Sequence, residues 1–243
     1  MDHRALVSVV TLTGLLAAGV SLAGPAEDMH ALFDSEWERT LEENPTLASG
    51  LGDHRYDGLW PDRSMAAISA SHRADLAALD RLSAIDRDLL PPAEQLNYDL
   101  FRRQIENRTA NYAFKRHLNP MNQRGGIQSA NEITERLRFS TVADYENWIS
   151  RLNGFGAYMD QTVALMTAGL DAGIIHPRVI LERISGQIPP QIVSDPVDSP
   201  FYKPFQAFPE SIPAAEQERL SAAGAAAIEN SVIPAFVRFQ TFF

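Results

Sequence analysis

No cysteine occurs among the 243 residues, which removes disulfide scaffolds, thiolate zinc sites, iron–sulfur clusters and cysteine nucleophiles together. Any metal would have to rest on histidine and carboxylates. Basic side chains are in the minority: 21 Lys and Arg against 31 Asp and Glu leave a formal charge of −10, a field that repels phosphate backbones and anionic lipid. Nucleic acid is not expected as a partner. No two of the histidines, His3, His30, His54, His72, His117 and His176, stand at the i, i+4 spacing that sets two imidazoles on one helix face, and no HExxH occurs. Ser129, Ser140 and Ser185 lack the G-x-S-x-G surroundings of a nucleophile elbow, and Gly125-Gly126 lacks the rest of a dinucleotide fingerprint. Sustained apolar/polar alternation is missing too, which argues against strands.

What is present is a globular composition, 45% hydrophobic and 21% charged, with enough apolar side chains for one large helical domain or two small ones. Ala5 to Leu22 runs without a charge behind Arg4, small Ser21 and Ala23 precede Gly24-Pro25, and this is the layout of a secretory signal. Residues 1–23 are therefore expected to be a signal peptide and 24–243 the exported, periplasmic or extracellular protein. The competing reading is an uncleaved anchor, since roughly 18 uncharged residues are near the minimum for a span. Five Ser, Thr or Gly residues between Ser8 and Gly19, with no basic cluster after them, argue against a stable membrane span.

The body reads as all-α, an array of long antiparallel helices with two long loops. Asp28 caps a run through Met29, Leu32, Phe33, Trp37 and Leu41 that Asn44-Pro45 stops. Ser64 caps a second run to Ile85, and Pro91-Pro92 open a third through Leu96, Leu100, Phe101, Ile105 and Tyr112. Thr141 with Asp144 forms a capping box for the longest run, Tyr145 to Leu170, ended by Gly173. Pro177 begins a short helix, and Ser211 with Pro213 the last. Loops as long as Lys115 to Gln128 and Gly186 to Ile212 tend to carry function. Phe201, Tyr202, Phe205 and Phe208 mark the second as docked on the core.

No catalytic residue and no metal ligand emerges. His54, in Gly52-Asp53-His54-Arg55-Tyr56-Asp57, reads as a solvated or capping histidine, with a loop metal site as the alternative; His72 reads as a satisfied, partly buried histidine and His176 as part of a helix entry. The candidate binding element is the first loop, where Asn122, Gln123, Arg124 and Gly126 combine amides, a guanidinium and flexible backbone suited to a peptide backbone or carboxylate. The alternative is that those amides satisfy neighbouring helix ends. At the C-terminus, Ile228, Val232, Ala235, Phe236, Phe239 and Phe243 share one stripe, expected to stay wet in an isolated chain and so to drive self-association or capture of a covering partner, with Pro234 fraying the helix.

Several segments together resemble a known family: Leu32-Phe33-Asp34-Ser35-Glu36-Trp37, Asn44-Pro45-Thr46-Leu47-Ala48, Gly50 to Asp57, Pro120-Met121-Asn122-Gln123 with Gly126, Thr141 to Leu152, Ala172 to Arg178 and Ile233-Pro234-Ala235-Phe236. In order and spacing they resemble the bacterial "domain of unknown function 885" family over nearly the whole mature chain. The resemblance implies a largely helical, often exported or lipid-anchored protein similar to zinc metallopeptidases, usually more than twice this length. It implies a zinc-binding H-E-x-x-P-G-H-H-type helix in the family's other half, which this chain does not contain. On that reading the chain is the N-terminal half of a peptidase-like domain, truncated or split, with no cofactor of its own and inactive alone. Its partners would be a peptide substrate or a complementary C-terminal half, and the Asn122-Gln123 loop would face the cleft. A stand-alone helical peptide- or protein-binding module is the rival reading.

Overall fold

The computed structural model describes residues 24–243; the expected signal segment and its cleavage after Ala23 lie outside the described residues. The chain is all-α, and the backbone pairing outside helices is an isolated bridge between Asn122 and Gly125 among the described residues. Helix α1 spans Pro25–Glu43, α2 Pro45–Gly50, α3 Met65–Ser83, α4 Pro92–Ala113, α5 Val142–Asp171, α6 Arg178–Ser185, α7 Ala214–Ala227 and α8 Ile233–Phe242. Short 3-10 turns fill much of the rest.

Local chemistry sets most boundaries. Ser64 Oγ accepts from Ala67 N at 3.1 Å and starts α3. Thr141 Oγ1 accepts from Asp144 N while the Asp144 carboxylate accepts from Thr141 N at 2.8 Å, the reciprocal box that starts α5. Two expected caps are corrected. Helix α1 begins at Pro25, with Glu27 accepting from Gly24 N, so Asp28 sits inside the first turn. Ser211 does not cap α7; Pro213 occupies that place, and the Ser211 hydroxyl donates to Ser140 O instead.

The helices bury two apolar clusters. The smaller joins α1, α3 and α4 through Met29, Leu32, Leu82, Tyr98 and Ile105. Leu96 and Leu100, expected on the inner stripe of α4, lie on its exposed side at 59% and 58% exposure, and Trp37 of α1 is likewise exposed. The larger cluster gathers α5, the Phe201–Phe208 segment, α7 and α8 around Trp148, Phe155, Phe201, Phe236 and Phe239. The aromatic segment is docked as expected: Phe201 is fully buried, stacks on Trp148 and accepts the indole N–H on its carbonyl at 3.1 Å. Gly224 of α7 meets Phe205 so closely that a Cβ would stand 2.4 Å from the ring, a contact only glycine permits.

The C-terminal stripe departs from expectation. Ile228, Val232, Ala235, Phe236 and Phe239 are buried by this chain's own α5 and aromatic segment, with Phe236 5.3 Å from Phe155 and 6.0 Å from Phe201. Phe243, the last member of the stripe, is partly buried against the same cluster. Pro234 does not fray the helix either: a π turn, Ile228–Val232, precedes it and carries the axis from α7 into α8, placing the missing N–H where the ladder is already interrupted. By length and composition Ala214–Phe242 would suffice to cross a membrane, but its buried stripe is that of a core helix.

Candidate functional site

Where the two clusters meet, a cleft of about 1120 Å³ opens between α1, α3 and α4 on one side and Trp60, Tyr158 and Leu165 on the other. Its floor is an ion network across three helices. Arg39 reaches Glu36 and Asp75, each at 2.5 Å, and Glu43 at 2.9 Å; Arg108 reaches Asp75 at 3.0 Å and Glu36 at 3.3 Å. Ser71 Oγ donates to Glu43. Burial works against the Arg39 charge, but hydrogen bonds to Glu36, Asp75 and Glu43 outweigh it and raise its pKa. With each carboxylate paired, the floor is rigid and its charges are committed.

One wall is a stack of three rings. His72 lies on Tyr112 at 3.8 Å, and Tyr112 on His117 at 5.1 Å. The expectation that His72 is satisfied is corrected: among the described residues His72 Nδ1, His117 Nδ1 and Arg108 Nε are buried without a hydrogen-bond partner. Desolvation, with help from Lys115, lowers the His117 pKa and so favours the neutral imidazole. Opposite stands Trp60, stacked on Tyr158 at 5.0 Å, with its N–H on the Arg151 carbonyl at 2.6 Å. The cleft thus combines flat aromatic faces with polar and charged side chains in one lining.

The loop singled out from the sequence borders this cleft through its ends, Pro120 and Ile127, while Asn122, Gln123, Arg124 and Gly126 do not line it. Its polar groups largely serve the loop. Asn122 Oδ1 accepts from Arg124 N at 2.8 Å, Gln128 Nε2 donates to the Asn122 carbonyl at 2.8 Å, and Gln187 Nε2 to the Gln123 carbonyl at 3.1 Å. His176 is a clamp: Nε2 donates to the Met121 carbonyl and Nδ1 accepts from the Asn119 amide at 3.2 Å, which fixes its tautomer. Gly126 is at φ +145°, and a Cβ there would stand 2.4 Å from Met121 Cβ. Arg124 alone of the four extends an exposed charge.

The buried Arg151 had no place in what the sequence alone suggested. It is fully buried, donates to Leu59 O, Ser49 Oγ and Tyr56 O, and lies 5.5 Å over the Trp60 ring. Desolvation pulls its pKa down to about 10, against the attraction of Asp57. It ties the α2–Trp60 connection to α5 and so holds one wall of the cleft.

These features define an all-α protein with a mixed apolar and polar cleft between two helical packs. The profile of the family described as "Bacterial protein of unknown function (DUF885)" matches residues 45–243, and the chain belongs to that family. No curated protein matches it. The resemblance puts zinc in the family's other half, and among the described residues no group of three His, Asp or Glu side chains is placed to hold a metal ion. His72 and His117, the two cleft imidazoles, are held apart by the Tyr112 ring between them, so they cannot share one ion.

Proposed function

We propose that the chain is the peptide-binding helical portion of an exported, zinc-peptidase-like protein, and that the metal chemistry of such a protein belongs to segments or partners other than these residues. The observation that supports this reading is the cleft. A peptide laid in it would place backbone amides and carbonyls against the His72–Tyr112–His117 wall and a side chain against Trp60. Stacked rings accept apolar and planar groups with little rotamer entropy to lose, while polar side chains of the same lining supply direction. The loop carrying Asn122, Gln123, Arg124 and Gly126 contributes a stiff border, with Arg124 free to meet an acidic side chain.

The test uses an acetylated, amidated pentapeptide of mixed composition, so that terminal charges play no part. Trp60 fluorescence should change saturably at concentrations below about 1 mM, and His72→Ala with His117→Ala should weaken binding at least about tenfold. Chelator should leave binding unchanged. Absence of saturation across a varied peptide set refutes the proposal.

A further inference from the structure

A second concavity, about 430 Å³, is bounded by the turn after α2, by the stretch before α5 and by the first turns of α5, with His54, Asp57, Arg136, Arg138, Asp144 and Asn147 in its lining. Its volume is within the range of small-molecule sites. The charges in it resolve in an uneven way. Asp144 is committed, its Oδ2 accepting from Ser140 N and Thr141 N at 2.8 Å each. Asp57 holds His54 Nδ1 on Oδ2 at 2.6 Å. Its other oxygen is buried without a partner among the described residues, as is Nη1 of Arg151, whose charge acts on the same carboxylate. Asp57 Oδ2 and Asp144 Oδ2 thus already have donors within the protein, and both acids keep their charge. Arg136 and Arg138 are exposed, and among the described residues neither has an ion pair or a side-chain hydrogen bond. Two arginines without side-chain partners thus border one concavity of a chain with net charge −10, beside two carboxylates already hydrogen-bonded to other groups.

The histidine adds direction. With Nδ1 fixed on Asp57, His54 presents Nε2 from a ring 66% exposed. The hydrogen bond to Asp57 and its charge raise the His54 pKa against a smaller desolvation effect, with Asp144 and Asp53 adding to the rise. Asn147 brings a neutral amide from α5. Guanidinium forks match the paired oxygens of carboxylate and phosphate, and an imidazolium N–H and an amide complete such a shell.

We propose that this pocket binds a small oxyanion, a carboxylate or a phosphate, held by Arg136 and Arg138 and oriented by His54 Nε2–H and the Asn147 amide. The site is separate from the cleft and stands whether or not the cleft takes peptide. The test follows the His54 ring resonances of the full chain by NMR at fixed pH and ionic strength, titrating inorganic phosphate in one arm and glycylglycine in the other. The ring signals should shift saturably with a midpoint below about 10 mM in at least one arm. Saturation by phosphate alone assigns a phosphate-bearing ligand, and saturation by glycylglycine a peptide terminus. Arg136→Gln with Arg138→Gln should weaken the response at least about tenfold without moving thermal unfolding, since both side chains are exposed. Arg103→Gln on α4 should leave it intact. No saturable shift in either arm, or an unchanged titration in the double variant, overturns the proposal.

Discussion

Replacing Phe236 and Phe239 together with Asp separates two views of the C-terminal helix. Were the stripe wet, the double variant would be a better-behaved monomer. In the structure both rings are fully buried, Phe236 against Phe155 and Phe201, and Phe239 with Phe243 at 5.8 Å. Truncating a buried Phe costs about 3–5 kcal/mol through lost transfer energy and the cavity left behind. A carboxylate at each position adds several kcal/mol of desolvation or forces the group to stay protonated. The pair therefore exceeds about 10 kcal/mol, against a total stability of about 5–15 kcal/mol for a typical domain. The variant should lose near-UV circular dichroism and its cooperative melt, and be cut rapidly by protease within Ala214–Phe242. A folded monomer melting within a few degrees of the parent would refute the packing described for α8.

Further outcomes are expected at the loop and at two histidines. Gly126→Ala forces a left-handed φ and a collision with Met121, costing at least about 1–3 kcal/mol, whereas Gly125→Ala, whose added methyl would meet nothing within 4 Å, should be near neutral; equal melting shifts in the two variants would contradict the loop geometry. NMR titration should place His54 above and His117 below the ordinary imidazole value of 6.5. Stability from the His54–Asp57 pair is then full below pH 6.5 and fades as pH rises through the raised pKa, while the neutral His117 contributes fully above pH 6.5 and loses its share as pH falls through the lowered one. Asp57→Asn should return His54 towards its ordinary range and leave His117 alone.

Local signals carried far in this chain, and long-range ones did not. The Ser64 cap, the Thr141–Asp144 box and the docking of Phe201 depend on residues within one turn or one segment, and each was legible. The candidate loop was legible as a loop, but not the use of its amides, because the clamps come from Gln187 and His176, far along the chain. Arg151 left a readable trace: it sits three residues after Trp148 and four before Phe155, on the apolar stripe of α5, where an unpaired charge is anomalous. The Arg39–Glu36–Asp75–Arg108 floor had no such trace, since its members look like ordinary charges on three amphipathic helices until tertiary packing joins them. Trp37, Leu96 and Leu100 show the opposite error, apolar periodicity that outruns the area available for burial.

The π turn at Ile228–Val232 has a geometric consequence for everything after it. An α-helix advances about 100° per residue, so the face that buries Leu220, Gly224 and Ala227 would, continued without a break, bring Ser231, Pro234, Arg238 and Thr241 inward. One extra residue in the wide turn rotates the remainder by a single position, and Val232, Ala235, Phe236 and Phe239 point inward instead. Ser231 is left at the boundary, where its hydroxyl bridges Gly156 N and Asn153 O, and Arg238 swings out to Asp160 at 3.0 Å. The turn works as a phase shifter, letting one continuous helical run show a thin, alanine-lined face to Phe205 and a thick, phenylalanine-lined face to α5. Deleting any one residue of Ile228–Val232 would keep the helix and its length almost unchanged while exchanging its dry side for a wet one.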